Sequence, residues 1–101
     1  MIKISFFSQH GALTGFEIKG HSNYAQSDED DIVCAAVSSA AYLAVNTITD
    51  IICSQADIKV EDGYLSVRTD GAGEIQTILK GLRLHLQQLS QDYPENIKVT
   101  V

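Results

Sequence analysis

Residues 32–53 read Ile32-Val33-Cys34-Ala35-Ala36-Val37-Ser38-Ser39-Ala40-Ala41-Tyr42-Leu43-Ala44-Val45-Asn46-Thr47-Ile48-Thr49-Asp50-Ile51-Ile52-Cys53. The run is rich in alanine, holds no Gly or Pro, and is apolar on nearly every side. Such a run predicts one helix, buried on most of its surface. Asp30 or Asp31 is the natural N-cap. The rest of the fold follows from what stands on either side.

Upstream, Ile2, Ile4 and Phe6 alternate with polar residues, and Phe16 and Ile18 do so again. His10-Gly11 falls in the turn between them, so residues 2–20 predict a hairpin. Downstream, Asp62-Gly63 separates the alternating pairs Ile58/Val60 and Leu65/Val67, a second hairpin signal. Residues 73–91 carry Ile75, Ile78, Leu79, Leu82, Leu86 and Leu89 at helical spacing. Gly81 lies inside that helix, and close packing against the first helix is its expected reason. Pro94 ends it, and Ile97, Val99 and Val101 give a last strand. The order ββαββαβ, with alternating strands, predicts an α+β domain of two layers. A mainly antiparallel sheet carries both helices on one face.

The chain has 101 residues, 45% of them hydrophobic and 20% charged, enough for one domain over residues 1–101. No apolar stretch lacks polar breaks for a bilayer's width, and Met1–Phe7 reads as a strand rather than a signal peptide. A cytoplasmic protein with no membrane partner is the expectation. On one continuous helix Cys34 and Cys53 would stand roughly 28 Å apart, beyond disulfide reach. The net charge is −6, from 13 acidic and 7 basic residues. These totals show no basic patch, so no direct nucleic-acid contact is expected, and an acidic chain suits a basic partner.

The chemistry concentrates in Gly20-His21-Ser22-Asn23-Tyr24-Ala25 and Asp31-Ile32-Val33-Cys34-Ala35-Ala36-Val37-Ser38. A cysteine three residues into a helix would sit among unpaired amides at the positive end of the dipole, which favours thiolate. His21, at a strand end, can fold back across the polar segment 21–31 to reach it. A thiolate–imidazolium pair is the minimal apparatus for attack on an acyl carbon, and the same amides could hold an oxyanion. Asp31 serves either as the acid that orients the imidazole or as the helix cap. Ser38, one turn after Cys34, either bonds into the site or back to a helix carbonyl. Tyr24 either lines a substrate groove or anchors its loop. Cys53 reads as a buried hydrophobe, and His10 and His85 as surface residues. A zinc site needs more ligands than His21, Cys34 and Asp31 supply nearby, so no metal is expected.

Gly20-His21 followed by Asp31-Ile32-Val33-Cys34-Ala35 resembles the signature of the bacterial ribosomal-processing cysteine protease family, Prp. The likeness extends over the whole chain in length and element order. It implies a homodimeric cysteine protease without cofactor. Its substrate would be large-subunit ribosomal protein L twenty-seven, from which an N-terminal extension is removed. It implies His21 and Cys34 as catalytic pair, with Gly20, Asp31 and Ser38 supporting and a mobile active-site loop at 21–31. The family loop carries glycine two positions before the aspartate, where this chain has Glu29, and the loop here is one residue longer. The competing class is a non-catalytic dimeric ribosome-assembly or adaptor module with Cys34 merely packed.

Overall fold

The computed structural model describes residues 1–20 and 28–100, and of residues 28–31 the backbone alone. The elements run β1 (Ile2–Gln9), β2 (Ala12–Lys19), α1 (Asp28–Asn46), β3 (Asp57–Glu61), β4 (Tyr64–Arg68), α2 (Glu74–Asp92) and β5 (Ile97–Thr100). This is the expected ββαββαβ order. The sheet order is β3-β4-β2-β1-β5. All pairings are antiparallel except β1 with β5, which is parallel.

Both hairpins close where the sequence places them. His10 and Gly11 both have positive φ, +53° and +80°, as a tight two-residue turn between twisted strands requires. Gly63 takes φ +70° in the other turn. A bulge between Phe7 and Ser8 leaves Thr14 outside the pairing with β1. Its carbonyl instead accepts hydrogen bonds from the Thr69 amide (2.7 Å) and hydroxyl (2.9 Å). Next to it, a Cβ on Gly15 would overlap the Val67 carbonyl oxygen, so β2 and β4 can approach only over glycine.

One sheet face is buried. Ile2, Ile4, Phe6, Phe16, Leu65, Val67 and Ile97 meet Val33, Val37, Ala41, Val45 and Ile48 from α1 and its extension, and Ile75, Leu79, Leu82 and Leu86 from α2. The apolar stripe of α2 is the one its spacing predicts. Gln76 adds a polar clamp. Its Oε1 accepts from the Leu13 amide (3.0 Å), and its Nε2 donates to the carbonyls of Leu13 and Gly71. Gln76→Ala leaves those backbone groups without partners in a half-buried place. A stability loss of about 1–3 kcal/mol is expected in urea melts, with an unchanged m-value.

Several expectations about the helices change. The first helix begins at Asp28, so Asp28–Asp31 form its first turn, where carboxylates suit the positive end of the dipole, rather than a loop ended by an Asp30 or Asp31 cap. Glu29 is helical there, a place where glycine would be the poorer choice. Nor is the helix buried on most sides: Ile32, Tyr42, Leu43 and Ile51 are exposed, because the sheet covers one face only. Ile32–Ile51 is, by length and composition, apolar enough to cross a bilayer, contrary to the sequence expectation, yet its inner face lies in the domain core.

The helix also does not run unbroken to Cys53. It widens into a π-helical turn at Thr47–Ile51, with the Ile52 amide donating to the Thr47 carbonyl at 2.9 Å. The hydroxyls of Thr47 and Thr49 donate to the carbonyls of Leu43 and Val45. Cys53 then adopts φ +60° and the Ser54 amide donates to the Ile48 carbonyl, a left-handed helix stop. Cys53 is therefore exposed rather than buried, because the stop turns it outward.

Gly81 does not allow a close helix approach. It is exposed, and a Cβ built on it meets nothing within 4 Å. Gly81→Ala is expected to raise stability by about 0.5–1 kcal/mol, through helix propensity and a less disordered unfolded chain, read as a higher melting temperature.

Candidate active site

Cys34 is the seventh residue of α1, on the side that turns toward the sheet. It is half-buried and packs against the core, and neither cysteine is disulfide-bonded. The early helix start corrects one step of the sequence argument. The unpaired amides belong to the very start of the helix, and Cys34 stands beyond them in the second turn. Cys34 therefore lies outside the helix-end effect expected from the sequence.

The stripe continuing from Cys34 along α1, at intervals of about one turn, is Ser38, Ala41 and Tyr42. These three line one wall of a groove of about 230 Å³. The opposite wall is the β3–β4 hairpin from Val60 to Leu65. The floor is part of one cross-strand row, Ile18–Leu65–Val60. Helices do not cover β3, so Val60 is 59% exposed although it points to the same side as buried Leu65. A groove with an apolar floor and polar walls thus runs from beside Ser38, a turn from Cys34, to an unpaired sheet edge.

Gly20 sits at the rim of this groove. Its φ is +85°, its amide donates to the Gly63 carbonyl (2.9 Å), and a Cβ there would come within 2.5 Å of the Met1 carbonyl oxygen. The chain leaves β2 under tight constraint, immediately before His21. The structure therefore brings Gly20 and Ser38 to one groove, with Cys34 a helical turn from Ser38. His21 and Tyr24 lie outside the described residues, as does the side chain of Asp31. The expected active-site loop at 21–31 falls partly there, in residues 21–27, and partly in the first turn of α1. Among the described residues, no three metal-ligating side chains cluster.

The groove residues Tyr42, Val60 and Tyr64 were not singled out from the sequence. Tyr42 was within reach, since it follows Cys34 by eight residues and Ser38 by four. Val60 read only as a strand residue, because its exposure depends on where α1 ends its cover.

A family model described as cysteine protease Prp matches residues 1–98. The chain is 28% identical to ribosomal processing cysteine protease Prp of Bacillus subtilis (strain 168), over 99% of this chain and 96% of that protein. It is 29% identical to the protein of that name from Staphylococcus aureus (strain NCTC 8325), over 91% and 90%. Two structures of ribosomal processing protease Prp from S. aureus superpose closely. The one with a substrate peptide has TM-score 0.88 and 28% identity, covering 100% of both chains. The one with a covalently linked product peptide has TM-score 0.85 and 30% identity, covering 99% and 98%. On this fold and these relatives, the molecule is a cysteine protease. It belongs to the cysteine protease Prp family.

Proposed function

We propose that this chain is a ribosomal-protein-processing endopeptidase that removes the N-terminal extension of large-subunit ribosomal protein L twenty-seven. Cys34 is the nucleophile and His21 the acid–base group. The observation that carries the proposal is the position of Cys34, one helical turn before Ser38 in the wall of an open groove whose rim holds Gly20, the residue preceding His21. The relatives named for ribosomal processing, and the covalently linked product peptide in one of them, support the same chemistry.

The Cys34 thiolate attacks the scissile carbonyl carbon, and the carbon–nitrogen bond breaks as the His21 imidazolium protonates the leaving amine. His21 then takes a proton from water, whose oxygen attacks the thioester and releases the acid and the Cys34 thiolate, so the thiolate–imidazolium pair is restored. Because the described amides at the helix start stand a turn away, protonated His21 supplies the charge that holds the thiolate. Asp31 orients that ring, and Ser38 and Tyr24 contact the peptide. The net charge of −6 draws a basic ribosomal protein toward the groove.

Incubation with the extended ribosomal protein, beside Cys34→Ala, tests the proposal. Cleavage that does not depend on Cys34, or no cleavage at all, defeats it. The groove has its own test. Val60→Asp puts a carboxylate on the apolar floor at an exposed site, so folding should survive. KM for a hydrophobic peptide is expected to rise about tenfold with a smaller change in kcat, as loss of uniform binding does.

A homodimer in the cytoplasm completes the proposal. Leu43 and Ile51, 70% and 77% exposed, and the apolar groove between α1 and α2 are the surface a second copy would cover. Sedimentation of the protein, beside Leu43→Glu, tests it. A monomer at all concentrations removes this part.

A further inference from the structure

The sheet face turned away from the helices carries a charge distribution that the totals conceal. Alternation and register put Lys3, Lys19, Lys59, Arg68 and Lys98 all on that face. These are five of the seven basic residues, while only Glu17, Asp57 and Glu61 of the 13 acids share it. The rest of the molecule is accordingly strongly acidic and this face is not.

Within it, Lys98, Lys3 and Lys19 stand side by side on β5, β1 and β2, each the direct register partner of the next. All three are exposed. Like charges placed directly opposite one another weaken a sheet, so this row does not serve stability. Among the described residues, Lys3 and Lys98 make no ion pair, and Lys19 approaches Glu17 at 3.4 Å. That carboxylate is also held by the Tyr64 hydroxyl at 2.7 Å, and chiefly for that reason its pKa lies below the ordinary carboxylate value. Asp57 and Glu61 sit on β3, at the far edge of the sheet from β5. Farther along the face, the guanidinium of exposed Arg68 stands over the Phe7 ring, with its Cζ 3.9 Å from the centroid.

We infer that this face docks the phosphate backbone of a nucleic-acid strand, with Lys98, Lys3 and Lys19 as the phosphate contacts. A row of lysines across neighbouring strands, about 4.8 Å apart at the backbone, lets flexible ammonium groups follow one chain of phosphates. The next row, Thr100–Ser5–Glu17, adds two hydroxyls and a carboxylate already engaged by Lys19 and Tyr64, with no apolar anchor, which favours a nucleic acid over a lipid surface. The groove floor Ile18–Leu65–Val60 lies on the other side of the sheet, and only Tyr64 and Glu61 of its wall share the lysine row, at the end away from Lys98 and Lys3, so the inference stands apart from the cleavage proposal.

The test is fluorescence anisotropy of a labelled uridine homopolymer with the intact protein, between about 50 and 200 mM salt. Three phosphate contacts on a single strand predict a slope of log K against log salt of about −2. The double variant Lys3→Gln, Lys98→Gln should bring that slope to about −0.7 and weaken binding about tenfold at low salt, with peptide cleavage retained. The control Lys80→Gln, Arg83→Gln changes net charge equally in the helix layer and should bind like the parent protein. No binding at low salt, equal losses in both double variants, or capture by phosphatidylserine vesicles without oligonucleotide binding would each overturn the inference.

Discussion

Cys34→Ala is expected to abolish peptide cleavage while leaving the fold intact. As the proposed nucleophile, Cys34 is the one group for which no neighbour substitutes, and removal of a nucleophile costs about a million-fold in kcat in a well-studied protease. Steady-state rates should fall to background, and KM for residual turnover has no meaning there. The side chain is small, half-buried and at the border of the core, so its loss should cost at most about 1 kcal/mol. Circular dichroism and thermal melts therefore separate lost chemistry from lost structure. His21→Ala should be nearly as damaging, and the pair should show strong non-additivity, since both serve one transition state. Substrate should still bind Cys34→Ala. A variant that retained more than a few per cent of the parental rate would remove Cys34 from its role.

Phe16→Ala is expected to be the most destabilising single truncation. Phe16 is wholly buried near the centre of the sheet, in the row Phe6–Phe16–Val67. Its ring lies 6.0 Å from that of Phe6 at a tilt of 41°, an attractive aromatic arrangement. Both helices pack onto this face, so no mobile segment can collapse into the space left behind. A loss of about 3–5 kcal/mol is expected. That is a large share of a small domain's stability and lowers its melting temperature by about 15 °C or more. Phe16→Leu, which keeps most of the volume, should cost far less. Similar melts for Phe16→Ala and the parent protein would mean the sheet and helices are not packed as described.

Much of this molecule is legible without coordinates because the relevant physics is local. Alternation of Ile2, Ile4 and Phe6, and of Leu65 and Val67, states which strand side is apolar. His10-Gly11 and Asp62-Gly63 mark turns because few residues tolerate their backbone angles. The stripe from Ile75 to Leu89 follows from 3.6 residues per turn. Cys34 and Ser38 share a helix face for the same reason. The helix start was harder to place. Asp28–Asp31 look like a polar loop, yet four carboxylate-bearing residues at a helix N-terminus are favoured by the dipole, and nothing in their order separates the two.

The two-layer α+β class, both hairpins and the core stripe of α2 could be read from residue order alone. Each depends on periods and turn preferences that span a few residues. Tertiary structure decided the π-helical turn that exposes Cys53 and the uncovered edge at Val60 that opens the groove. It also decided the gathering of Lys3, Lys19 and Lys98 into one row. Those depend on which strand pairs with which, in what register, and where a helix stops covering the sheet. Residues 16 to 95 positions apart in the chain become neighbours only when long-range pairing is complete.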